Sequence, residues 1–255
     1  MKRLSRVSVS LLVAAGMMHG AIAQTGNLSA MDIVKKSDEL MRGVSSYAEI
    51  TMRVIRPRWE RNISMKSWSK GNNYALIYIT APANEKGQVF LKRDKEMWNW
   101  VPSIERMIKI PPSMMMQSWM GSDFTNDDLV KESSIISDYH HALAGSEVVG
   151  GYECYKIELI PKEDAPVVWG KIITWISRKG YMPLKNEYFD EEGDLVNTET
   201  LSDIRDIGDR ILPTRFELVP ADKNGHKTIM QFDQIRFNIP VEDDFFSIQN
   251  MKKVR

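Results

Sequence analysis

Apolar and polar residues alternate one by one along most of this chain, and that period of two constrains its fold more than any other feature. In residues 47–58, for example, Ile50, Met52 and Val54 fall on one face of an extended segment. A two-residue period is that of a strand with one buried face. We predict about ten such strands, and they are residues 47–58, 62–70, 74–80, 88–92, 97–102, 153–161, 170–177, 184–190, 195–206, 215–220 and 228–239. Short strands with tight turns, such as Arg178-Lys179-Gly180, are typical of an antiparallel sheet or barrel.

Two segments depart from this period. Residues 28–42 have a helical rhythm, with Ser29 as the N-cap and Gly43 after the last turn. Residues 103–146 form an interruption that is too long for a hairpin loop. There we predict one or two short helices, starting after Pro111-Pro112 and again at Thr125 or Asn126, that lie across the mouth of the barrel.

The N-terminus has the layout of a bacterial secretory signal peptide. A basic head containing Lys2, Arg3 and Arg6 precedes about a dozen mostly apolar residues, and Ala21-Ile22-Ala23 provides a small-x-small cleavage pattern. Cleavage removes three positive charges and leaves 31 basic against 34 acidic residues. We therefore predict a signal peptide at residues 1–23, a single mature domain at 24–255 and a periplasmic location.

Composition and motifs exclude several classes of function. The full chain has 34 basic and 34 acidic residues, a balance that argues against a nucleic-acid binder. Its only cysteine, Cys154, excludes an intramolecular disulfide framework and lies in an alternating stretch that favours burial. The sequence contains none of the common hydrolase, zinc-protease, P-loop or dinucleotide motifs. We expect a protein that is not an enzyme and that has no cofactor.

Two metal hypotheses stay open against that expectation. Carboxylates and imidazoles in the interrupting segment could bind a divalent cation and support a metal-dependent hydrolase, and they are Asp123, Asp127, Asp128, His140 and His141. The alternative is that the paired aspartates occupy the first turn of a helix, which its dipole favours. The methionines of the same segment could bind copper(I), although no Cys or Met-x-Met repeat accompanies them.

The unusual concentration of methionine and tryptophan is the stronger signal. Six of the 16 methionines lie between Met97 and Met120, and Met114, Met115 and Met116 are consecutive. Binding surfaces that accept varied apolar ligands are rich in methionine because its side chain is flexible and polarisable. Three consecutive methionines cannot all face one core, so we predict a second apolar surface, a cavity for acyl chains. The residues predicted to line or cover it are Ile50, Met52, Met65, Trp98, Trp100, Met114, Met115, Met116, Trp119, Met120 and Phe124.

Four stretches together resemble the LolA-like superfamily of lipoprotein carriers, and most closely its branch of outer-membrane lipoprotein-sorting proteins. They are the helix leading into residues 44–47 (VSSY), the hairpin at 93–102 (RDKEMWNWVP), residues 111–129 and the ending at 239–246 (IPVEDDFF). The better-known carriers have an Arg just before the strand that matches 74–80, where it tethers the lid. The corresponding residues 68–73 (WSKGNN) contain no Arg.

The resemblance implies an open, strongly curved antiparallel β-barrel, LolA/LolB-like, with an N-terminal helix and short lid helices around an apolar cavity. It implies a periplasmic carrier that binds the acyl chains of a lipoprotein or lipid and moves them from an inner-membrane transporter, of ABC or RND type, towards the outer membrane. Fold alone does not fix function. A lipid or lipoprotein sensor, a transporter accessory subunit and, less favoured, a metal-dependent hydrolase are the alternatives.

Overall fold

The structure is a computed structural model that describes residues 28–94, 96–126, 128, 134–163, 165 and 167–255. The predicted signal peptide at residues 1–23 lies outside the described residues. No helix in the described part of the chain is long and apolar enough to cross a membrane.

The helix predicted at residues 28–42 is present as α1 (Ala30–Arg42). A reciprocal pair of hydrogen bonds caps it: the Asp32 backbone N–H donates to Ser29 Oγ at 3.1 Å, and the Ser29 backbone N–H donates to the Asp32 carboxylate at 3.1 Å. The Ser29 hydroxyl also donates to Asp32 Oδ2 at 2.6 Å, and this bond, followed by the one from the Ser29 N–H, lowers the pKa of Asp32. Gly43 ends the helix with a φ of 65°, a backbone conformation that favours glycine.

In the described part of the chain thirteen strands follow α1, and every predicted strand corresponds to one of them. They are β1 (Ser45–Arg56), β2 (Trp59–Lys70), β3 (Tyr74–Ala81), β4 (Val89–Arg93), β5 (Glu96–Val101), β6 (Arg106–Ile110), β7 (Tyr139–Val149), β8 (Tyr152–Pro161), β9 (Lys171–Ser177), β10 (Pro183–Phe189), β11 (Leu195–Asp206), β12 (Ile211–Pro220) and β13 (Lys227–Phe237). The interruption predicted at residues 103–146, with one or two short helices in it, also contains β6 and the first part of β7. These strands were not predicted, because most of their side chains are not buried and give no clear alternation.

All thirteen strands form one antiparallel sheet in the order β6-β5-β4-β3-β2-β1-β13-β12-β11-β10-β9-β8-β7. Each strand pairs with its neighbour in sequence, except that β1 pairs with β13 and so joins the first and last strands. The sheet is strongly curved, and its two edges are β6 and β7. Since these edges do not pair, the barrel is open, which confirms the predicted fold class.

Alternation along the strands separates two faces, which we call concave and convex. The concave face carries α1, whose Ile33 and Val34 pack against the buried side chains of β8 and β9. The convex face of β3 and β4 is covered by the C-terminal segment, residues 241–254. Cys154 is fully buried in a separate convex cluster, as predicted, and its burial raises the pKa of the thiol.

The chain between β6 and β7 connects the two open edges, and we call its residues 111–126 and Asp128 the lid. It contains two 3₁₀ turns, Pro112–Met114 and Trp119–Gly121. A helical turn then begins after Thr125, whose Oγ1 accepts the Asp128 backbone N–H at 3.1 Å, while the Thr125 N–H donates to the Asp128 carboxylate at 2.7 Å. A four-residue helix, α2 (Ser134–Ser137), precedes β7.

Candidate functional site

A cavity of about 410 Å³ lies among the concave face of the sheet, α1 and the lid. Binding sites for small molecules typically enclose roughly 300–1,000 Å³ between apolar walls that carry a few polar groups. The walls come from strands on both sides of the β1–β13 pair, so the curvature of the whole sheet creates the hollow. Its apolar lining includes Val34, Met41, Ala48, Ile50, Met65, Ile77, Trp119, Phe124, Ile172, Ile176, Leu201, Phe216, Leu218, Met230 and Phe232.

The wall formed by β1–β4 changes from apolar to polar along the strands. Its residues align in three rows across the paired strands: Ile50–Met65–Ile79, Ala48–Ser67–Ile77 and Ser46–Ser69–Ala75–Lys92. In the last row the hydroxyls of Ser46 and Ser69 are hydrogen-bonded at 2.7 Å, and Lys92 is buried. Burial of polar groups is costly unless they have partners, so this end of the cavity is suited to a different part of a ligand from the apolar end.

The facing wall, formed by β9–β13, is mainly apolar. The rings of Phe216 and Phe232 meet edge to face with their centroids 5.0 Å apart. One polar patch interrupts this wall, where Glu199 Oε2 accepts a hydrogen bond from Asn186 Nδ2 at 2.8 Å and from the Tyr188 hydroxyl at 3.1 Å. The cavity is therefore amphipathic on both walls.

Helix α1 adds both apolar and charged groups to the cavity. Val34 and Met41 line it, and so do Asp38 and Arg42, which form an ion pair one helical turn apart. The Arg42 Nε donates to Asp38 Oδ2 at 3.2 Å, and both side chains are largely buried. This pair lies in the last two turns of α1, where the helix faces the cavity.

The lid is held in shape by its own backbone. The Trp119 N–H donates to the Phe124 carbonyl at 2.7 Å, and the Asn126 N–H donates to the Gln117 carbonyl at 3.0 Å. These bonds direct Trp119 inwards, where it is buried and meets Phe90 edge to face with centroids 5.4 Å apart. The lid therefore closes part of the cavity with an aromatic side chain.

Two arginines next to the β1–β2 turn fasten the lid to the sheet. Arg56 Nη1 donates to Asp123 Oδ2 at 2.9 Å, and both side chains are nearly buried. The same carboxylate accepts the Thr228 hydroxyl at 2.7 Å, and Arg56 Nη2 donates to the Gly121 carbonyl at 3.0 Å. Arg61 also donates to the Met120 carbonyl. The lid is thus tethered by arginines at positions other than the stretch 68–73.

The sequence-predicted site residues fall into three groups in the structure. Ile50, Met65, Trp119 and Phe124 line the cavity. Met52 belongs to the hydrophobic cluster at the apolar end of the sheet, and Met114, Met115 and Met120 of the lid pack against that cluster. Met116, also in the lid, is 52% exposed. Trp98 and Trp100 lie on the convex face among side chains of the C-terminal segment.

The sequence did not predict that β9–β13 form a wall of the cavity or that α1 contributes to it. The alternation in those strands predicted which residues share a face, but the same pattern is produced by a face that packs solidly. The concentration of methionine predicted cavity residues in the lid, and it gave no indication of Ile172, Phe216 or Phe232, which also line the cavity.

Asp123, Asp128, His140 and His141, the described residues of the metal hypothesis, do not form a group that could hold a metal ion. Asp123 is occupied by Arg56 and Thr228, and His141 Nε2 lies 2.8 Å from the Ile135 carbonyl, with a pKa lowered by burial. Asp127 lies outside the described residues. Within the described ranges no three His, Cys, Asp or Glu side chains are grouped so that they could hold a metal ion.

Comparison with known families identifies the family of this chain. A family model described as "Uncharacterized protein" matches residues 71–253. The chain belongs to this family. No curated protein matches the chain.

Three solved structures share the fold over nearly their full length. A DUF1329 family protein from Desulfovibrio piger has a TM-score of 0.80 at 23% identity, with 87% of this chain and 97% of that chain covered. A putative outer membrane lipoprotein-sorting protein domain from Vibrio parahaemolyticus has a TM-score of 0.78 at 21% identity, covering 88% and 98%. A LolA superfamily protein from Nitrosomonas europaea has a TM-score of 0.75 at 24% identity, covering 88% and 100%. The fold is therefore that of the LolA-like superfamily, as the sequence resemblance implied.

Proposed function

We propose that this protein is a carrier that binds the acyl chains of a lipoprotein or lipid in the concave cavity. The observation that supports this most is a hollow of about 410 Å³, with a mainly apolar lining, in a sheet whose other face packs against the C-terminal segment at β3 and β4. At about 0.8 kcal/mol per buried CH₂, an acyl chain of ordinary length gains more than about 10 kcal/mol by leaving water. A water-soluble carrier must therefore offer a comparably dry site.

We further propose that the chain works in the periplasm as one domain, residues 24–255, after removal of the signal peptide at 1–23. Loading would come from an inner-membrane transporter of ABC or RND type, and delivery would be towards the outer membrane. The lipoprotein-sorting description of the Vibrio parahaemolyticus relative supports this direction. The sequence has no nucleotide-binding motif, so the energy for loading would come from the transporter.

In this proposal Ile50, Met65, Trp119 and Phe124 contact the acyl chain, because they line the cavity. The methionines of the lid and of the sheet cluster under it form a deformable surrounding in which Trp119 can shift as cargo enters, since methionine adapts to irregular neighbours. Trp98 and Trp100 have no role in binding, because they face the C-terminal segment.

Filling the cavity tests the proposal directly. Ala48→Phe and Ser67→Phe place a ring in the hollow from neighbouring strands, whereas Ala142→Phe adds the same ring at an exposed position on β7. We expect the first two variants to lose at least tenfold in affinity for a fluorescent fatty acid and to keep or gain thermal stability, as cavity filling commonly does. Ala142→Phe should bind like the wild type. Unchanged affinity in both cavity variants would refute the cavity as the binding site.

Transfer to membranes tests the direction of transport. Protein loaded with a fluorescent lipoprotein is mixed with vesicles from inner or outer membranes, and release of the cargo is followed by fluorescence. A carrier for the outer membrane should release cargo faster to outer-membrane vesicles. Equal release to both membranes, together with co-purification of a regulatory membrane protein instead of a transporter, would support the sensor alternative.

A further inference from the structure

A compact polar patch interrupts the otherwise apolar wall of β9–β11. Thr174, Asn186 and Glu199 lie side by side on three adjacent strands, since Thr174 pairs with Asn186 and Asn186 pairs with Glu199. The same row continues into apolar residues on both sides, Ile157 on β8 and Leu218 on β12. The patch is therefore local, and the wall around it is apolar.

Asn197 lies on the same strand and face as Glu199, and it pairs with Tyr188 across the sheet. Its side chain lines the cavity, and the residue is only 7% exposed. Within the described part of the chain, its amide makes no hydrogen bond. Thr174 also lines the cavity, is 3% exposed and makes no side-chain hydrogen bond to any described residue.

The amide of Asn197 keeps some surface towards the cavity, because it is not among the fully buried polar atoms without a partner, so any hydrogen bond it makes there is to water or to a ligand. A side chain in that state beside a ligand-sized hollow is explained if the ligand supplies the partner. The amide of Asn197 offers both donors and an acceptor, and the adjacent Glu199 carboxylate, when ionised, only accepts. The complementary group must therefore donate as well as accept hydrogen bonds.

We propose that the patch of Thr174, Asn186, Tyr188, Asn197 and Glu199 binds the polar part of the cargo and selects acyl compounds that carry an amide. This inference rests on the carrier function and names the class of cargo. An amide N–H can donate towards Glu199 while its carbonyl accepts from Asn197. An ester has acceptors only, so it leaves the carboxylate facing another acceptor.

The wall of β1–β4 and helix α1 bring cations to the cavity, and the test must be independent of them. Lys92 and Arg42 also line the cavity, together with Asp38 and Asp128, and they would act on any charged headgroup. Two uncharged ligands with the same chain, hexadecanamide and methyl hexadecanoate, differ chiefly in hydrogen-bond donation. Their affinities are measured by displacement of a fluorescent acyl probe from the full mature protein.

We expect the wild type to bind the amide about tenfold more tightly than the ester, the effect of one or two net hydrogen bonds. Asn197→Leu and Glu199→Met should each reduce this preference to about one. Asn62→Leu, at an exposed position on β2, is the matched control and should keep it. Circular dichroism shows whether each variant is folded. If either Asn197→Leu or Glu199→Met is unfolded, the amide-over-ester preference of the other variant provides the test.

The outcomes separate this inference from the function on which it rests. Equal affinity of the wild type for amide and ester overturns the patch as a selective subsite and leaves the carrier function standing. A preference that persists in the folded patch variants overturns it too. If the wild type binds neither ligand nor the acyl probe, the carrier function itself fails.

Discussion

On the convex face, the C-terminal segment buries Phe246, Met251 and Val254 almost completely against β3 and β4, whereas α1 and the lid leave a hollow of about 410 Å³ on the concave face. Both coverings contribute apolar side chains, and both lie on the same sheet. They differ in how they fill the space, because the aromatic rings of the C-terminal segment stack on the sheet, as Phe246 does on Tyr74 at 5.4 Å. The chain is therefore able to pack a sheet face solidly.

This difference in packing indicates that the hollow has a function. Apolar side chains that line an open hollow stay accessible to water, so they do not gain the roughly 25 cal/mol per Å² that burial of apolar surface provides. The tightly packed convex face indicates that the shape of the sheet does not force the loss. We infer that the concave face is less stabilising than the convex face because it leaves room for a ligand. The predictions below test this difference between the two faces.

We expect the largest decrease in the free energy of unfolding for a substitution at the convex face. Phe246→Ala removes a side chain that is 0% exposed, and we expect it to lower the free energy of unfolding by about 3–5 kcal/mol. Phe232→Ala removes a half-buried ring that already borders the hollow, so its cost should be less than half as large. Urea unfolding measures both values.

For ligand affinity we expect the reverse order, with a larger effect of Phe232→Ala than of Phe246→Ala. Phe246→Ala should bind a fluorescent fatty acid like the wild type under conditions where it is folded, and Phe232→Ala should bind it more weakly because an apolar contact is lost. Equal destabilisation by the two substitutions would contradict the contrast between a solid and a hollow face.

Removing the hydrogen bonds that tether the lid should cause a smaller loss of stability, and this loss should be confined to the concave side. Arg56→Met removes the hydrogen bonds to Asp123 and Gly121, and since bonds to charged groups contribute about 1.5–3 kcal/mol, we expect the lid to open more easily by about 2 kcal/mol. Hydrogen exchange of the lid amides measures this. Arg53→Met is the matched control on β1, because Arg53 pairs with Glu60 at the surface, where such pairs contribute little.

Exchange that accelerates throughout the sheet in Arg56→Met would mean that the arginine supports the whole fold rather than the lid. Exchange that accelerates equally in Arg53→Met would remove any special role of the Arg56–Asp123 pair. In either case the lid would not be an independently tethered cover.

The sequence predicted the inner strands well because each has one buried face. In β1 the alternation of Ile50, Met52 and Val54 was sufficient to place the strand and its buried side. Strand β7 gave no such signal, since it is an edge strand and most of its side chains, including Leu143 and Val148, are exposed. Edge strands must therefore be inferred from topology rather than from periodicity.

The site was harder to predict than the fold, because a side-chain pattern does not reveal what covers each face. Trp98 and Trp100 alternate with Met97 in β5, and the sequence alone could not tell which of the two sets faces the lid. Met97 lies in the cluster beneath the lid, whereas the tryptophans pack against the C-terminal segment. That segment is more than 140 residues away in sequence, so only the tertiary structure assigns the two faces.

The smallest expected effect is at the cap of α1, the helical cover of the cavity. Ser29→Ala removes the hydroxyl that accepts the Asp32 N–H, and loss of such a cap costs about 1 kcal/mol. The effect should loosen the concave cover and leave the convex segment unchanged. Urea unfolding should report the loss, and Ser113→Ala, at an exposed serine on the lid, is the control.

The pH dependence distinguishes a cap from a general packing defect. The folded-state pKa of Asp32 is lowered, so the stabilisation from its carboxylate is present above the unfolded pKa of about 3.9 and is lost as the pH falls through the folded value. The difference in stability between the wild type and Ser29→Ala should therefore narrow between neutral pH and about pH 3. A difference that stays constant over this range would mean that Ser29 acts through packing, and the reciprocal cap would not be what fixes α1 over the hollow.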